Sequence, residues 1–395
     1  MPDPESERLR RWRLILGGDE ADGIGLALAG SDEGIDRALS ALYDADGDEG
    51  ENRSISRRGG LGSSAPNVAR WLGDIRTYFP ASVVKVMQQD ALDRLNLREM
   101  LLQPEMLQAV EPDVQLVANL MALRSVIPNK TKDTARLVVR HVVEEVERRL
   151  ANPLRQAVTG SLNRAARNLR PRHNEIDWHR TIRANLKHYQ PEYGTIIPET
   201  RIGYGHKRSA LREIILCIDQ SGSMATSVVY AGIFGAVLAS LASIQTRFVV
   251  FDTAVVDLTE ELSDPVDLLF GVQLGGGTDI NQALGYCQDL IRQPHDTVLI
   301  LISDLYEGGN REAMLKRAAA LAGDGVTMVA LLALNDDGAP SFDHATAATM
   351  SALGIPAFAC TPDLFPDLMS AAISRRDVNQ WAAAQGIVTT RSLRT

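Results

Sequence analysis

Hydrophobic positions in the second half of the chain alternate between short apolar runs and longer helical patterns. The runs Glu213–Ile218, Thr297–Ser303 and Val326–Leu334 are almost continuously apolar, which is typical of strands buried on both faces of a sheet. Helical patterns follow two of these runs, at Thr226–Ser243 and Asn310–Ala322. This alternation predicts an α/β fold with a doubly wound, mostly parallel sheet.

Further elements extend the predicted sheet. Arg247–Asp252 and Ala254–Leu258 are two strand-like runs joined by a tight turn, so we expect one of them to be antiparallel at the sheet edge. The remaining predicted helices are a short one opened by Pro265, three that end at about Arg292, at Leu353 and at about Ser374, and one around Trp381. A further strand is predicted over Ile355–Cys360.

The amino-terminal half lacks such strand patterns and shows helical spacing instead. The apolar positions that recur every three or four residues are Val68, Trp71, Leu72, Ile75 and Phe79, and then Ala135, Val138, Val139, Val142, Val146 and Leu150. We expect loops at Asp44–Arg58 and Gly59–Ser64. The sequence therefore predicts an all-helical domain at residues 1–129, a basic helical connector at 130–209, an α/β domain at 210–375 and a tail at 376–395.

Composition and charge narrow the choice of partner. The net charge of −9 and the pI near 5.4 do not favour general binding to nucleic acid or anionic membranes. Residues 130–212 are the exception, with 18 Lys plus Arg against 8 Asp plus Glu. Arg164, Arg167, Arg170 and Arg172 form the densest part of this segment. A phosphate or RNA surface and a solvated or protein-docking helix face are the two interpretations, and we favour the second.

The cysteines and one apolar stretch bear on the cellular location of the protein. Cys217, Cys287 and Cys360 are far apart and form no C-x-x-C motif, so neither a disulfide framework nor a zinc finger is indicated. Thr226–Gln245 is long enough to span a bilayer, but its place between two strands favours a helix buried against a sheet. Together with an amino terminus that lacks an apolar signal region, these features predict a cytoplasmic protein without a membrane span.

Five oxygen-bearing side chains fall at the carboxyl ends of the predicted strands. Asp219 ends one strand and is followed by Ser221 and Ser223, while Asp304 ends another and Thr278 follows three glycines. In the common doubly wound order the strands that end at the two acids are neighbours. Carboxylate and hydroxyl oxygens are the ligands that Mg2+ prefers, and Mn2+ accepts them as well. The five residues therefore predict one divalent metal site.

Each hydroxyl also has a simpler interpretation. A Ser or Thr after a strand is often a helix cap, and an Asp at a strand end often only binds loop amides. The joint placement of all five at one sheet end favours the metal site. If the two acids act partly through water, one coordination position stays open to a carboxylate from a partner protein.

These residues resemble the metal-ion-dependent adhesion site of von Willebrand factor type A (VWA) domains. Asp219-Gln220-Ser221-Gly222-Ser223 matches the D-x-S-x-S signature, and Thr278 and Asp304 match the other two parts, over residues 210–375. The resemblance implies a Rossmann-like sheet. It also implies that Ser221, Ser223 and Thr278 ligate the metal directly, with Asp219 and Asp304 acting largely through water.

The whole chain is similar to bacterial CoxE-like VWA proteins with a helical amino-terminal half. Three segments contribute to this resemblance: Arg11–Gly17, Gly59–Gly62 and Leu305–Gly309. It implies an adaptor that works beside a MoxR-type AAA+ ATPase in assembly, metal insertion or remodelling of a client. The chain has no Walker A lysine loop, so ATP hydrolysis would come from such a partner.

We therefore expect a non-enzymatic, Mg2+-dependent protein-binding module. A phosphatase of the haloacid-dehalogenase class would also place an acid where Asp219 stands, but it needs a second acid at position 221, which is Ser. A nucleic-acid-associated protein acting through residues 130–212 is the other alternative. A dinucleotide-binding oxidoreductase ranks last, because no G-x-G-x-x-G follows the first strand.

Overall fold

The computed structural model describes residues 4–16, 28, 30–43, 65–94, 101–103, 107, 109–165, 167–168, 176–204, 212–336 and 341–387. The chain separates into two compact units, Met1–Val142 and Val143–Thr395. The expected loops at Asp44–Arg58 and Gly59–Ser64 lie outside the described residues, and the domain boundaries inferred from the sequence stay predictions.

The regular secondary structure described in the first unit is all helical. Its helices are α1 Pro4–Leu16, α2 Ser31–Tyr43, α3 Ala65–Tyr78, α4 Ala81–Arg94, α5 Val114–Ala122 and the beginning of α6 Asn129–Ala165. The periodic positions Val68, Trp71, Leu72 and Ile75 are buried, and the Trp71 indole donates to the Ala38 carbonyl at 2.9 Å. The helical spacing in the sequence therefore marks the core-facing side of α3.

The second unit contains the end of α6 and all of the described strands. Leu150, Leu154 and Val158 are buried along this part of α6, and the Ser161 hydroxyl donates to the buried Ser370 hydroxyl at 2.7 Å. The elements that follow α6 are β1 Arg167–Asn168, α7 Trp178–Ala184, β2 Tyr189–Gln190, β3 Thr195–Ile196, β4 Gly203–Tyr204, β5 Arg212–Asp219, α8 Ala225–Ala239, β6 Ile244–Phe251, β7 Val255–Asp257, α9 Pro265–Gly271, α10 Ile280–Leu290, β8 Thr297–Ile302, α11 Arg311–Gly323, β9 Thr327–Leu334, α12 His344–Ala352, β10 Ala357–Cys360, α13 Phe365–Ile373 and α14 Val378–Ala384.

Six of these strands form one sheet in the order β10-β9-β8-β5-β6-β7. All neighbouring pairs are parallel except β6 and β7, which form an antiparallel edge. The strand order reverses direction at β5, which lies between β8 and β6. The predicted doubly wound, mostly parallel sheet preceded by a helical region is confirmed.

Helices cover both faces of the sheet. Ile215 and Cys217 of β5 belong to a core cluster with buried residues of α10, α11 and α12. Phe248 faces the other side, where a Cβ at Gly235 of α8 would lie 2.9 Å from its ring, so only glycine permits this close approach. The three cysteines are buried free thiols, as expected for Cys217 and Cys360.

Helix α8 is the uncharged stretch that was long enough to span a bilayer. Within the described residues, Gly222–Ala239 is the one helical stretch with the length and composition of a membrane span, and 67% of it is buried inside the protein. The helix ends at Ala239 rather than at Ser243, so its predicted end was wrong. The Ser240 hydroxyl donates to the Val237 carbonyl and the Ile244 amide donates to the Leu241 carbonyl, which turns the chain into β6.

Candidate metal site

The carboxyl end of β5 supplies three polar side chains. Asp219 is the last residue of the strand and is fully buried. The chain then turns through a short 3-10 helix, Gly222–Met224, because the Asp219 Oδ1 atom accepts the Ser221 amide at 2.9 Å. The hydroxyls of Ser221 and Ser223 lie 3.2 Å apart. The two serines therefore face the same point, as their spacing in the sequence predicted.

The adjacent strand β8 brings in the second acid. Ile218 pairs with Ile302, so Asp219 lies opposite Ser303, and the Ser303 hydroxyl donates to Asp219 Oδ2 at 2.9 Å. Asp304 follows, and its Oδ2 atom accepts the Ser223 hydroxyl at 2.9 Å. Neighbouring strands thus join Asp219, Ser221, Ser223 and Asp304 through hydrogen bonds. We call these four residues the metal-edge cluster.

The chain reverses sharply after Asp304. Leu305 is fully buried and has φ of +64°, a left-handed conformation that costs a non-glycine residue on the order of 1–3 kcal/mol. Its amide donates to the Ser303 hydroxyl at 3.0 Å, which helps to hold the turn. Local strain is therefore concentrated beside the cluster.

Thr278 lies in a glycine loop that is attached to both strand-end loops. The Gly275 amide donates to the Gln220 carbonyl at 3.0 Å, and the Gly308 amide donates to the Thr278 carbonyl at 2.8 Å. Gly275 and Gly276 have φ of +117° and +101°, which side chains rarely adopt. A Cβ at Gly308 would lie 2.8 Å from the Thr278 carbonyl oxygen. These contacts place the Thr278 backbone next to the loops of the cluster.

The Thr278 hydroxyl itself is not part of the hydrogen-bonded cluster. It is half-buried, and within the described ranges it forms no hydrogen bond with the four cluster residues. The structure therefore brings four of the five predicted site residues into one network and the fifth to its border.

The capping interpretation does not account for these hydroxyls. Ser221 precedes the 3-10 helix but makes no side-chain capping bond, and Met224 stands at the cap position of α8. Asp279, not Thr278, caps α10 by accepting the Gln282 amide at 2.8 Å. The Ser221 and Thr278 hydroxyls are thus available for another role.

Two supporting residues were not assigned a role from the sequence. Ser303 binds the buried carboxylate of Asp219, as described above. Glu307 accepts the Ile280 amide at 2.8 Å and the Gly309 amide at 3.2 Å, so it joins the loop after β8 to the start of α10. Ser303 precedes Asp304 and could have been flagged by the strand alignment. The role of Glu307 depends on a contact between loops 27 residues apart in the chain.

The cluster concentrates negative charge. Burial raises the pKa of the Asp219 carboxyl and the charge of Asp304 raises it further, whereas hydrogen bonds from Ser221 and Ser303 oppose the change. Burial also raises the pKa of Glu307, and Asp279 adds to this effect. Among the described residues, neither Asp219 nor Asp304 forms an ion pair with Lys, Arg or His.

This donor set fits a hard divalent cation. It consists of carboxylate and hydroxyl oxygens, which suit Mg2+ or Mn2+, and no Lys, Arg or His of the described residues pairs with its two acids. The described residues contain no group of three or more His, Cys, Asp or Glu side chains that could hold a metal, so the chemistry of this site rests on hydroxyls as much as on acids.

The chain is similar to known proteins over more than half of its length. A family model described as VWA domain containing CoxE-like protein matches residues 150–369. The uncharacterized protein YehP of Escherichia coli (strain K12) is 36% identical over 362 residues, which cover 90% of this chain and 94% of YehP.

Three solved structures are also similar, at lower identity. An aerotolerance-related membrane protein from Bacteroides fragilis NCTC 9343 is 13% identical with a TM-score of 0.32, and BatB from Bacteroides thetaiotaomicron is 16% identical with a TM-score of 0.33; each match covers 42% of this chain and 98% of the other. The RO (RSR) protein of Deinococcus radiodurans is 14% identical with a TM-score of 0.27, covering 88% of this chain and 74% of that one.

The family match includes both strands that carry the metal-edge cluster and extends back into α6. It spans more than half of the chain, and the similarity to YehP extends through the helical region as well. The chain belongs to the family of CoxE-like proteins that contain a VWA domain.

Proposed function

We propose that this protein is a cytoplasmic, non-enzymatic module that binds a partner protein through a divalent cation, Mg2+ or Mn2+, held at the metal-edge cluster. The observation that carries the proposal is the hydrogen-bonded network of Asp219, Ser221, Ser223 and Asp304, whose two acids form no ion pair with any described Lys, Arg or His. Thr278, at the border of this network, supplies the remaining ligand.

These residues would hold the cation, and a bound Mg2+ or Mn2+ would supply an electrophile that can bind a carboxylate of the partner. The chain contributes the orientation: Ser303 fixes the Asp219 carboxylate and Glu307 fixes the loop that carries Asp304 against the start of α10. Ser223 is exposed, so the side of the cluster that it forms is accessible to a partner surface.

We further propose that the partner complex includes a MoxR-type AAA+ ATPase, with this chain as the adaptor to a client. Membership of the CoxE-like family supports this assignment. The sequence lacks a Walker A lysine loop, so a separate ATPase would supply the energy for remodelling.

Metal binding is tested by titrating Mg2+ into the purified chain in a calorimeter. Ser221→Ala combined with Ser223→Ala removes two hydroxyl ligands, and we expect the affinity to fall by about a hundredfold or more. Ser240→Ala, a serine at the exposed end of α8, is the matched control and should bind as the natural chain does. Equal Mg2+ affinity in all three proteins would contradict the proposed site.

Partner capture is tested with the MoxR-type ATPase of the same organism. Because the ATPase itself uses Mg2+ for nucleotide binding, chelation cannot separate the two metal requirements. The double serine variant can, since it leaves the ATPase untouched. We expect the natural chain and Ser240→Ala to capture the ATPase or its client, and the double variant to lose capture. Steady phosphate-ester turnover abolished by Asp219→Asn would instead favour a hydrolase.

A further inference from the structure

Residues 176–202 form a small folded segment that is built differently from the rest of the second unit. It consists of α7, a 3-10 turn at Leu186–His188 and the β2–β3 hairpin. The Asp177 amide donates to the Ile202 carbonyl at 2.8 Å, which closes the segment at its two ends.

Polar side chains form the interior of this segment. Thr181 and Asn185 are each 1% exposed. The Thr181 hydroxyl donates to the Ile202 carbonyl at 3.0 Å, and the Asn185 amide group donates to the carbonyls of Thr181 and Thr200, both at 2.7 Å. The Asn185 oxygen accepts the amides of Glu199 and Thr200. The segment therefore holds its shape through hydrogen bonds, with Ile176 as its one buried large apolar side chain.

Large apolar side chains of the same segment face solvent. Six of them within 20 residues are between 44% and 75% exposed: Trp178, Ile182, Leu186, Tyr189, Tyr193 and Ile197. Trp178 and Ile182 are one turn apart on the same side of α7. Single exposed apolar residues are common on protein surfaces, but a group of this density marks an interaction site. We call these six residues the exposed apolar face.

The charges beside Ile182 and Leu186 are basic, whereas Glu192 and Glu199 lie near the Tyr193 and Ile197 end of the exposed apolar face. Arg183 and Lys187, both exposed, directly follow Ile182 and Leu186. Residues 178–191 contain Lys and Arg side chains but no Asp or Glu. A partner that covers the apolar groups therefore gains by bringing acidic side chains to this surface.

We propose that the exposed apolar face docks an acidic amphipathic segment of a partner protein. Apolar side chains of that segment cover Ile182 and Leu186, and its Asp or Glu side chains meet Arg183 and Lys187. Three of the six exposed residues are aliphatic and cannot stack on bases, which favours a protein over a nucleic acid. The acidic partner complements the basic charge beside Ile182 and Leu186, where a second copy of this chain docked through the same residues would bring like charges together.

This surface shares no residue with the metal-edge cluster, so we expect docking here to need no divalent cation. A display library of random peptides, about 16 residues long, is selected against the full-length chain in EDTA. We expect enrichment of peptides with large apolar residues at helical or alternate spacing and flanking Asp or Glu. Fluorescence anisotropy then measures their affinity for the chain and its variants.

The variants assign the binding to this surface. Ile182→Ser combined with Leu186→Ser should weaken the enriched peptides by about tenfold or more, and Arg183→Ala combined with Lys187→Ala by about threefold. Val256→Ser, an exposed apolar residue on β7, is the control and should leave binding unchanged. If the first variant misfolds by circular dichroism, Tyr193→Ser, the most exposed member of the face, takes its place.

Several results would overturn the proposal. These are enrichment without an acidic bias, peptides that bind the Ile182→Ser, Leu186→Ser variant as tightly as the natural chain, and no enrichment over an unrelated protein. A homodimer that this variant dissociates would assign the face to self-association. Tighter binding of an oligouridine than of any peptide, lost in the same variant, would assign it to RNA. None of these results depends on Mg2+, so they leave the proposed metal site untouched.

Discussion

The metal-edge cluster and the exposed apolar face present opposite chemistry, acidic groups in the first and large apolar side chains in the second. Around the metal-edge cluster, at the carboxyl ends of the central strands β5 and β8, the apolar side chains are buried and two acids have no cationic partner among the described residues. In residues 176–202 the polar side chains are buried and the apolar ones face solvent. Unpaired negative charge favours binding of a cation, and exposed apolar surface favours binding of a protein. Each region therefore indicates the chemistry of its ligand.

The two regions should also respond differently to substitution. Asp219, Asp304 and the supporting Ser303 are buried, so a hydrogen bond lost there leaves an unsatisfied partner behind. The exposed apolar side chains are supported by backbone contacts beneath them and contribute little to folding. Substitutions in the metal-edge cluster should therefore alter both stability and metal affinity. Substitutions on the exposed apolar face should alter only the binding of a partner protein.

Among polar residues in and around the metal-edge cluster, the largest stability effect is expected for Ser303→Ala. This substitution removes the hydroxyl that donates to Asp219 Oδ2 in the interior. We expect the free energy of unfolding, measured by urea titration, to fall by about 1–3 kcal/mol because a buried carboxylate loses a donor. Ser240→Ala, at an exposed helix end, should cost less than about 0.5 kcal/mol. Equal effects of the two substitutions would contradict the role assigned to Ser303.

Asp219→Asn should act in the opposite direction in metal-free protein. The pKa of Asp219 is raised in the folded chain, so its contribution to the free energy of unfolding falls as the pH rises through its unfolded and then its folded pKa. At neutral pH the Asn variant should be more stable by about 1 kcal/mol in EDTA, a typical single-substitution effect. Its Mg2+ binding should be lost.

The pH dependence provides the control for Asp219→Asn. The stability difference between the two proteins should shrink as the pH falls, because the natural carboxyl becomes protonated and neutral. A difference that stays constant with pH would show that the gain comes from packing rather than from charge.

A smaller effect is expected at Glu307, which joins two loops from outside the cluster. Glu307→Gln weakens the bonds to the Ile280 and Gly309 amides, and we expect Mg2+ affinity to fall by about threefold. Glu307→Asp keeps the charge but shortens the side chain. If Glu307 acts by connecting the two loops, both variants should bind Mg2+ more weakly. If only its charge contributes, Glu307→Asp should bind Mg2+ as tightly as the natural chain.

The smallest stability effect is expected on the exposed apolar face. Ile182→Ser combined with Leu186→Ser should change the free energy of unfolding by less than about 0.5 kcal/mol, since both side chains already face solvent. Leu216→Ser in the buried strand β5 serves as the contrasting variant and should cost several kcal/mol, about 2–5 by analogy with large core truncations. A large loss for the surface pair would mean that these residues support the fold.

Most of the sheet could be predicted because buried parallel strands are nearly continuous apolar runs. The runs that begin near Glu213, Thr297 and Val326 are the strands β5, β8 and β9. The short edge strand β7 was identified by the turn before it. The end of α8 was misplaced by four residues because Ser240 to Ser243 are compatible with a helix, and only the need to enter β6 stops it.

The candidate site was predicted less completely than the sheet. Asp219, Ser221 and Ser223 belong to one signature at the end of β5, and Asp304 follows the neighbouring strand β8. Their proximity could therefore be predicted from the strand order. The roles of Ser303 and Glu307 depend on register and on contacts between loops, which no local pattern encodes. The side chains of Arg164, Arg167, Arg170 and Arg172 lie outside the described residues, so the basic-surface hypothesis stays a prediction.

Gly308 gives the site a point of weakness that contains no ligand atom. Its amide donates to the Thr278 carbonyl, and a single methyl group at this position would press against that same oxygen. The methyl group of an alanine at this position would push the two loops apart and move Thr278 away from Ser221 and Ser223. No group that could contact a cation would itself be changed. A substitution at Gly308 can therefore impair metal binding although Gly308 is not itself a metal ligand.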